Sequence, residues 1–297
     1  MSYVIAKLMG GLGNQLFQYA AGRAVAGRLD VPLLLDLSFL DDRSGAVHTI
    51  RDYALDVYRV NARLATPDEI RAFDAHRPRG RFRTRLEPIV STFRRTTYCR
   101  ERGRRYDPAL ERVRPPVYLD GFWQDERYFV SIAGRLRDEL SPREPLDAKT
   151  TTLLNRIGST SSISIHVRRG DYVTDPTTNA YHGVLGADYY QAAIRRIQEG
   201  FAEPHFFVFS DDPDWAEANI VTGHPTVYVR GNDGKRAFID LFLMQHCLRH
   251  VIANSSFSWW GAWMSARADK TVIGPARWFA GLVTQNDDVL PKSWIRL

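Results

Sequence analysis

Ile163-Ser164-Ile165-His166-Val167-Arg168-Arg169-Gly170-Asp171-Tyr172 runs from an apolar strand straight into charge. Ile163, Ile165 and Val167 recur at every second position, the period of a strand. The same alternation puts His166 and Arg168 on one side of the chain. Working outward, the pattern predicts a helix over 188–198, a strand over 205–209, a short helix over 213–219 and a strand over 227–229. A helix over 236–247, a strand over 250–253, a helix over 260–266 and a strand over 271–273 follow. Repeated strand–helix units need a parallel sheet with helices on both faces. Ligands of such sheets bind at the carboxyl ends of the strands, which is where Arg168 stands.

The N-terminal side starts the same way. A strand over 3–8, a glycine turn Gly10-Gly11-Leu12-Gly13-Asn14-Gln15, a helix over 16–29 and a strand over 31–35 make a βαβ beginning. The glycine turn matches neither G-x-x-x-x-G-K-[ST] nor G-x-G-x-x-G, so by itself it only permits a tight turn. Thr66-Pro67-Asp68-Glu69 is a helix start, with Thr66 as cap. A strand over 117–119 and a helix over 126–140 come next, and Ser141-Pro142-Arg143-Glu144-Pro145 breaks the pattern. The 297 residues suffice for two ordinary domains, drawn here as 1–150 and 151–297. No apolar run reaches the ~20 residues of a membrane span. The first residues lack the charge and apolar stretch of a signal peptide. Cys99 and Cys247 are isolated, with neither disulfide nor zinc spacing. A reducing, cytoplasmic setting is therefore expected.

Charge is uneven. Between Arg71 and Arg114 stand 14 Arg and five acids, a segment of +9 in a chain of +6. The plain reading is a solvated arginine-rich surface. The sharper one is a patch for an anionic partner, such as acidic lipid headgroups, nucleic acid or a pyrophosphate-linked acceptor. A nucleic-acid-binding reading leaves the strand-end clusters described next unexplained, and the stretch carries no nucleic-acid motif.

Four clusters sit just after strands. Arg168 leaves its strand into a glycine turn, a placement suited to clamping a phosphate bidentately. A structural Arg–Asp pair with Asp171 explains the same residues. Ser210-Asp211-Asp212-Pro213-Asp214 reads as a helix cap ahead of Pro213. Its D-x-D spacing for a divalent ion is discounted, because an Arg clamp removes the need for a cation. Asp240 lies between apolar neighbours, in Ala237-Phe238-Ile239-Asp240-Leu241-Phe242-Leu243. It either accepts from guanine N1 and N2 or lies on a polar stripe with Arg236. Asn254-Ser255-Ser256-Phe257-Ser258-Trp259-Trp260-Gly261 opens a helix whose N–H groups suit phosphate oxygens. Plain serine capping is the other account. Trp259, Trp260 and Trp263 fit a core better than a sugar platform.

Taken together, Gly10-Gly11-Leu12-Gly13-Asn14-Gln15-Leu16-Phe17-Gln18-Tyr19-Ala20, His166 to Tyr172, Phe209-Ser210-Asp211-Asp212 and Asn254 to Ala262 resemble glycosyltransferase family 11. Its members are α-1,2-fucosyltransferases of bacteria and animals. Order and spacing agree from Gly10 to about Pro275. The H-x-R-R-x-D element is also similar to that of α-1,6- and protein O-fucosyltransferases. The resemblance implies an α/β, GT-B-like fold of two Rossmann-like lobes facing across a cleft. The lobe 151–297 would bind GDP-fucose, and 1–150 would face the acceptor. Arg168 would hold the β-phosphate. His166 and Asp240 would contact the guanine side, and Ser256, Phe257 and Ser258 would line the nucleotide pocket. Asn14 would face the transfer site. Asp171 is a candidate base, with orientation of an arginine as its other role. The resemblance implies no cofactor and no metal, and an α-linked product from a β-linked donor makes the reaction inverting. The implied partners are GDP-fucose and a galactose-containing oligosaccharide; that it could be lipid-linked is read from the basic segment, not from the resemblance. Peripheral contact with the inner face of the cytoplasmic membrane through the basic segment is a further expectation. GDP-mannose, or another fucosyl linkage, is the rival within the class.

Overall fold

The computed structural model describes residues 2–43, 51–74, 97–103, 105–280 and 289–297. Much of the basic segment, residues 75–96 and Arg104, lies outside them. The chain divides into two compact units, Met1–Leu140 and Ser141–Leu297. The boundary drawn at 150/151 falls inside the helix Ala148–Gly158. That helix contributes Ile157 to the core of the second unit, so the break comes earlier, at the Ser141–Pro145 stretch.

The first unit holds a parallel sheet of β1 (Val4–Lys7), β2 (Leu33–Asp36), β3 (Arg63–Leu64), β4 (Thr97–Arg100) and β5 (Val117–Asp120), in the order β3-β2-β1-β5-β4. Strands β3 and β4 are edges that the sequence pattern did not predict. The first has two exposed residues, and the second only half-buries its side chains. Helix α1 (Leu12–Leu29) starts four residues earlier than expected. Gly11 is its extended N-cap, and the Gln15 amide ties the turn to Gly10 O at 2.8 Å and Asp52 O at 2.9 Å. Thr66 and Glu69 form the capping box of helix Pro67–Arg71. The single helix expected over 126–140 is instead two 3₁₀ turns, Glu126–Tyr128 and Val130–Ile132, and a helix Ala133–Glu139. Asp125 captures the Arg127 N–H at 2.9 Å, and Phe129 leaves helical dihedrals at φ −144°, which stops propagation.

The second unit holds β6 (Ser161–Val167), β7 (Pro204–Ser210), β8 (Thr226–Tyr228), β9 (Arg249–Val251), β10 (Thr271–Gly274) and β11 (Ile295–Arg296). All pair parallel, in the order β11-β10-β9-β6-β7-β8. Strand alternation builds two cores. Ile163, Ile165, Phe206 and Val208 pack under helices Ala187–Ile197 and Pro213–Asn219. Phe207 and Phe209 face the other way, toward helices Ala148–Gly158 and Ala237–Met244. Each fully buried Ile or Phe contributes about 1.5–3 kcal/mol, so a two-faced sheet of this kind holds itself rigid. Among the described residues no helix is long and apolar enough to cross a membrane.

Candidate active site

The chain lays β6 in the middle of the second sheet, adds β7 and β8 on one side, then returns to add β9, β10 and β11 on the other. The loops after β6 and β9 therefore diverge, and the gap between them is where open α/β sheets take ligands. Arg168 stands one residue past β6. Its guanidinium lies 2.6 Å from Asp171 and 3.0 Å from Asp211, over the Tyr172 ring at 5.4 Å. Burial opposes its charge, but the Asp211 and Asp171 carboxylates overrule that and raise its pKa. Tyr172 in turn donates to Asn254 O at 3.1 Å, joining the two loops. Arg169 points elsewhere. It stacks on Trp215 at 4.0 Å and pairs with Asp212 at 3.1 Å.

His166 is buried at the end of β6, 5.3 Å from the Phe257 ring. Burial, with the Arg168 charge adding to it, pushes its pKa down to about 3. The imidazole is thus neutral at working pH, and its Nδ1 has no hydrogen-bond partner among the described residues. Helix Ser256–Met264 begins there, capped by Ser255, whose hydroxyl accepts from the Phe257 N–H at 3.3 Å. Ser256 and Phe257 are half-buried at its first turn. Ser258 is not at the surface. It is fully buried, and its hydroxyl donates to Ala253 O and Ser255 O. Trp259, Trp260 and Trp263 are core residues.

Asp240 is half-buried on helix Ala237–Met244 and accepts from Asn232 Nδ2 at 2.6 Å. Burial pushes its carboxyl up to about 7, with Asn232 and Lys149 pulling the other way. Arg236, named in the polar-stripe alternative, pairs with Asp147 at 2.6 Å. Asp212 caps helix Pro213–Asn219 through the Trp215 N–H, and Asp214 pairs with Arg230 at 2.7 Å. Among the described residues no group of three or more His, Cys, Asp or Glu could hold a metal ion. Asn14 belongs to the first unit, in the first turn of α1, where its Oδ1 accepts from Gln124 at 2.8 Å.

Two residues escaped the sequence reading as site residues. Asp211 accepts from the Arg169 amide at 2.8 Å and pairs with Arg168, and Asn232 holds Asp240. Register carries the signal for Asp211, because Val167 and Ser210 are paired neighbours at the ends of β6 and β7. A Cβ on Gly170 would overlap Asp211 Oδ2. Gly170→Ala is therefore expected to displace Asp211 from Arg168 and lower turnover about 10–100-fold, as misplacement of a catalytic group does. Steady-state kinetics together with a thermal melt checks this.

The sequence model of glycosyl transferase family 11 matches residues 86–297. The chain is 34% identical to an alpha-1,2-colitosyltransferase of Escherichia coli, over 100% of this chain and 99% of that one. It is also 34% identical to the O-antigen biosynthesis glycosyltransferase WbnK of Escherichia coli, covering 98% and 99% of the two chains. Against the galactoside alpha-(1,2)-fucosyltransferase 1 of Rattus norvegicus it is 29% identical over 51% of this chain and 42% of that one. Among solved structures, a GDP complex of an Arabidopsis thaliana FUT1 mutant superimposes with TM-score 0.53 at 13% identity, covering 91% and 70%. A GDP complex of POFUT1 gives TM-score 0.50 at 14% identity, covering 92% and 98%. The fold class is thus α/β and GT-B-like. With the family's sequence pattern running through both Arg168 and the helix start at Ser256, the chain is a glycosyltransferase and belongs to glycosyl transferase family 11.

Proposed function

We propose that the protein moves L-fucose from GDP-β-L-fucose to O2 of a galactose in an acceptor glycan, with inversion at C1. The observation that carries this reading is Arg168, held between Asp171 and Asp211 at the sheet's switch point. In the reaction the acceptor oxygen bonds to C1 as the C1–O bond to the diphosphate breaks. The bonding pair goes to the β-phosphate oxygen, and the acceptor proton leaves to a base. The transition state is oxocarbenium-like. Negative charge grows on the departing GDP, so a fixed guanidinium helps the transition state more than the ground state. The Ser256 N–H at the helix start adds a donor for a phosphate oxygen, the Phe257 N–H being held by the Ser255 hydroxyl. Asp240 accepts from guanine N1 and N2, and neutral His166 offers its unsatisfied nitrogen to the nucleoside. Asp171 is spent on Arg168 at 2.6 Å, so we assign it to orienting that arginine.

A second reading has a specific observation behind it. The 34% identity to a colitosyltransferase runs over the whole chain. Colitose is fucose without its C3 hydroxyl, so the two donors share the diphosphate and the leaving-group chemistry. Calorimetric titration with GDP-fucose, GDP-colitose, GDP-mannose and UDP-galactose in EDTA separates them. Because Arg168 and the helix start neutralise the diphosphate, binding is expected without a divalent ion, and the proposed donor, GDP-fucose, is expected to bind tightest. Preference for GDP-colitose would move the donor to the second reading. Binding only after a divalent ion is added would return the reaction to a metal at Asp212 and Asp214.

A further inference from the structure

The first sheet has its own switch point. Strand β1 is central, β2 and β3 lie on one side, and β5 and β4 on the other. The loops after β1 and β5 flank that gap, and they are built unusually. After β5 the chain reads Asp120-Gly121-Phe122-Trp123-Gln124. Trp123 takes φ +55°, a left-handed conformation that costs energy in a bulky residue and persists only where its surroundings enforce it. Glu101 enforces it, accepting from the N–H groups of Phe122 at 2.7 Å and Trp123 at 3.0 Å. The result splits two adjacent aromatics. Trp123 is buried edge-on against Tyr128, and Phe122 is turned out, 41% exposed. Among the described residues it is the one exposed aromatic ring of this unit.

Two residues on, Gln124 Nε2 donates to Asn14 Oδ1 from the loop after β1, at 2.8 Å. Used this way, the pair leaves Asn14 Nδ2 as donor and Gln124 Oε1 as acceptor, with no further hydrogen bond among the described residues. Gly10, at φ +73°, keeps that edge open, since a Cβ there would stand 2.6 Å from Asn14 Nδ2. An exposed apolar ring and, two residues along the same loop, an amide pair offering one donor and one acceptor are the groups that one side of a hexose calls for. A β-galactoside presents the hydrogens of C3, C4 and C5 as an apolar face, with hydroxyls around its rim. Sites for small molecules combine such a face with a few placed polar groups.

We infer that Phe122, with the Asn14–Gln124 amide pair, forms the subsite for the acceptor's galactose ring, and that Glu101 is the positioning residue that turns Phe122 outward. This deepens the proposed function and rests on its galactoside acceptor, but its test needs no donor. Saturation-transfer NMR on the full chain, with methyl β-D-galactoside and methyl β-D-glucoside as probes, reads the subsite directly. The galactoside is expected to bind the wild type, with the strongest transfer at H3, H4 and H5. Phe122→Ala should weaken it at least tenfold, and Phe122→Trp should restore it, which a merely structural residue would not do. No galactoside binding to the wild type, or equal binding to Phe122→Ala, overturns the inference. The donor reading stands or falls separately, on the GDP-fucose titration.

Discussion

Arg168→Ala is expected to cut turnover about 10³-fold while the protein stays folded, the scale of losing a preorganised charge at a leaving group. The size of the effect follows from where the guanidinium is held. It lies at the end of a strand buried in the sheet core, with a carboxylate on each side and an aromatic ring beneath it. Such an arrangement needs no reorganisation when charge develops on the diphosphate. Removing it also leaves Asp171 and Asp211 without their shared cation. The side chain is about a quarter exposed, so solvent screens that repulsion, and about 1 kcal/mol of stability should go. Arg168→Lys keeps the charge but presents a single nitrogen, which cannot reach both carboxylates and a phosphate together. Kinetics at saturating donor, with a melt to show folding, checks both variants. Full transfer by a folded Arg168→Ala protein would sink the clamp.

The second large effect is at Asp240, and it has two signs. Burial holds its carboxyl at about 7, against 3.8 for an ordinary Asp. Below pH ~4 the group is protonated in both folded and unfolded chains and costs nothing. As pH rises from there to about 7 the unfolded chain ionises and the folded one does not, so stability is lost through that window. Asp240→Asn removes the loss. The variant is expected to be about 1–3 kcal/mol more stable at pH 8 and unchanged near pH 4, allowing for the water that reaches a half-buried group. In the proposed role, guanine binding runs the other way, because N1–H and N2–H need an ionised acceptor. GDP affinity of the wild type should fall as pH drops below 7, by about tenfold at pH 6. Asp240→Asn should bind at least 100-fold more weakly at pH 8, with a flat pH profile. Urea unfolding and calorimetry across pH 4–8 read both. A stabilised variant that keeps full GDP affinity would remove Asp240 from the nucleotide site.

Much of the second unit was legible because period-2 apolar runs bounded by turns carry their own signal. Strands β6, β7 and β10 and helix Pro213–Asn219 fall within a residue or two of expectation. The first unit was legible at its start, at the Thr66 helix cap and at β5, and not between them. Its edges β3 and β4 bury too little to leave a pattern, and the helix expected over 126–140 was undone by the Asp125 side chain, a local competitor that periodicity does not register. Of the serines, Ser258 looked available from its neighbours in sequence. Only helix phase decides that it turns inward while Ser256 and Phe257 stay at the first turn.

The chemistry of the parts was thus written in local sequence: an arginine leaving a strand, serines opening a helix, an acid among apolar residues, a glycine turn ahead of Asn14. Local spacing determines which element a residue sits on and which end of it. Tertiary structure decided the company each residue keeps. Asp211 reaches Arg168 because β7 pairs with β6, Asn232 reaches Asp240, Arg236 turns away to Asp147, and Glu101 flips Phe122 outward. Those pairings join residues separated by up to 89 positions. Strand order and helix phase bring them together, and neither can be read from the interval between two residues in the chain.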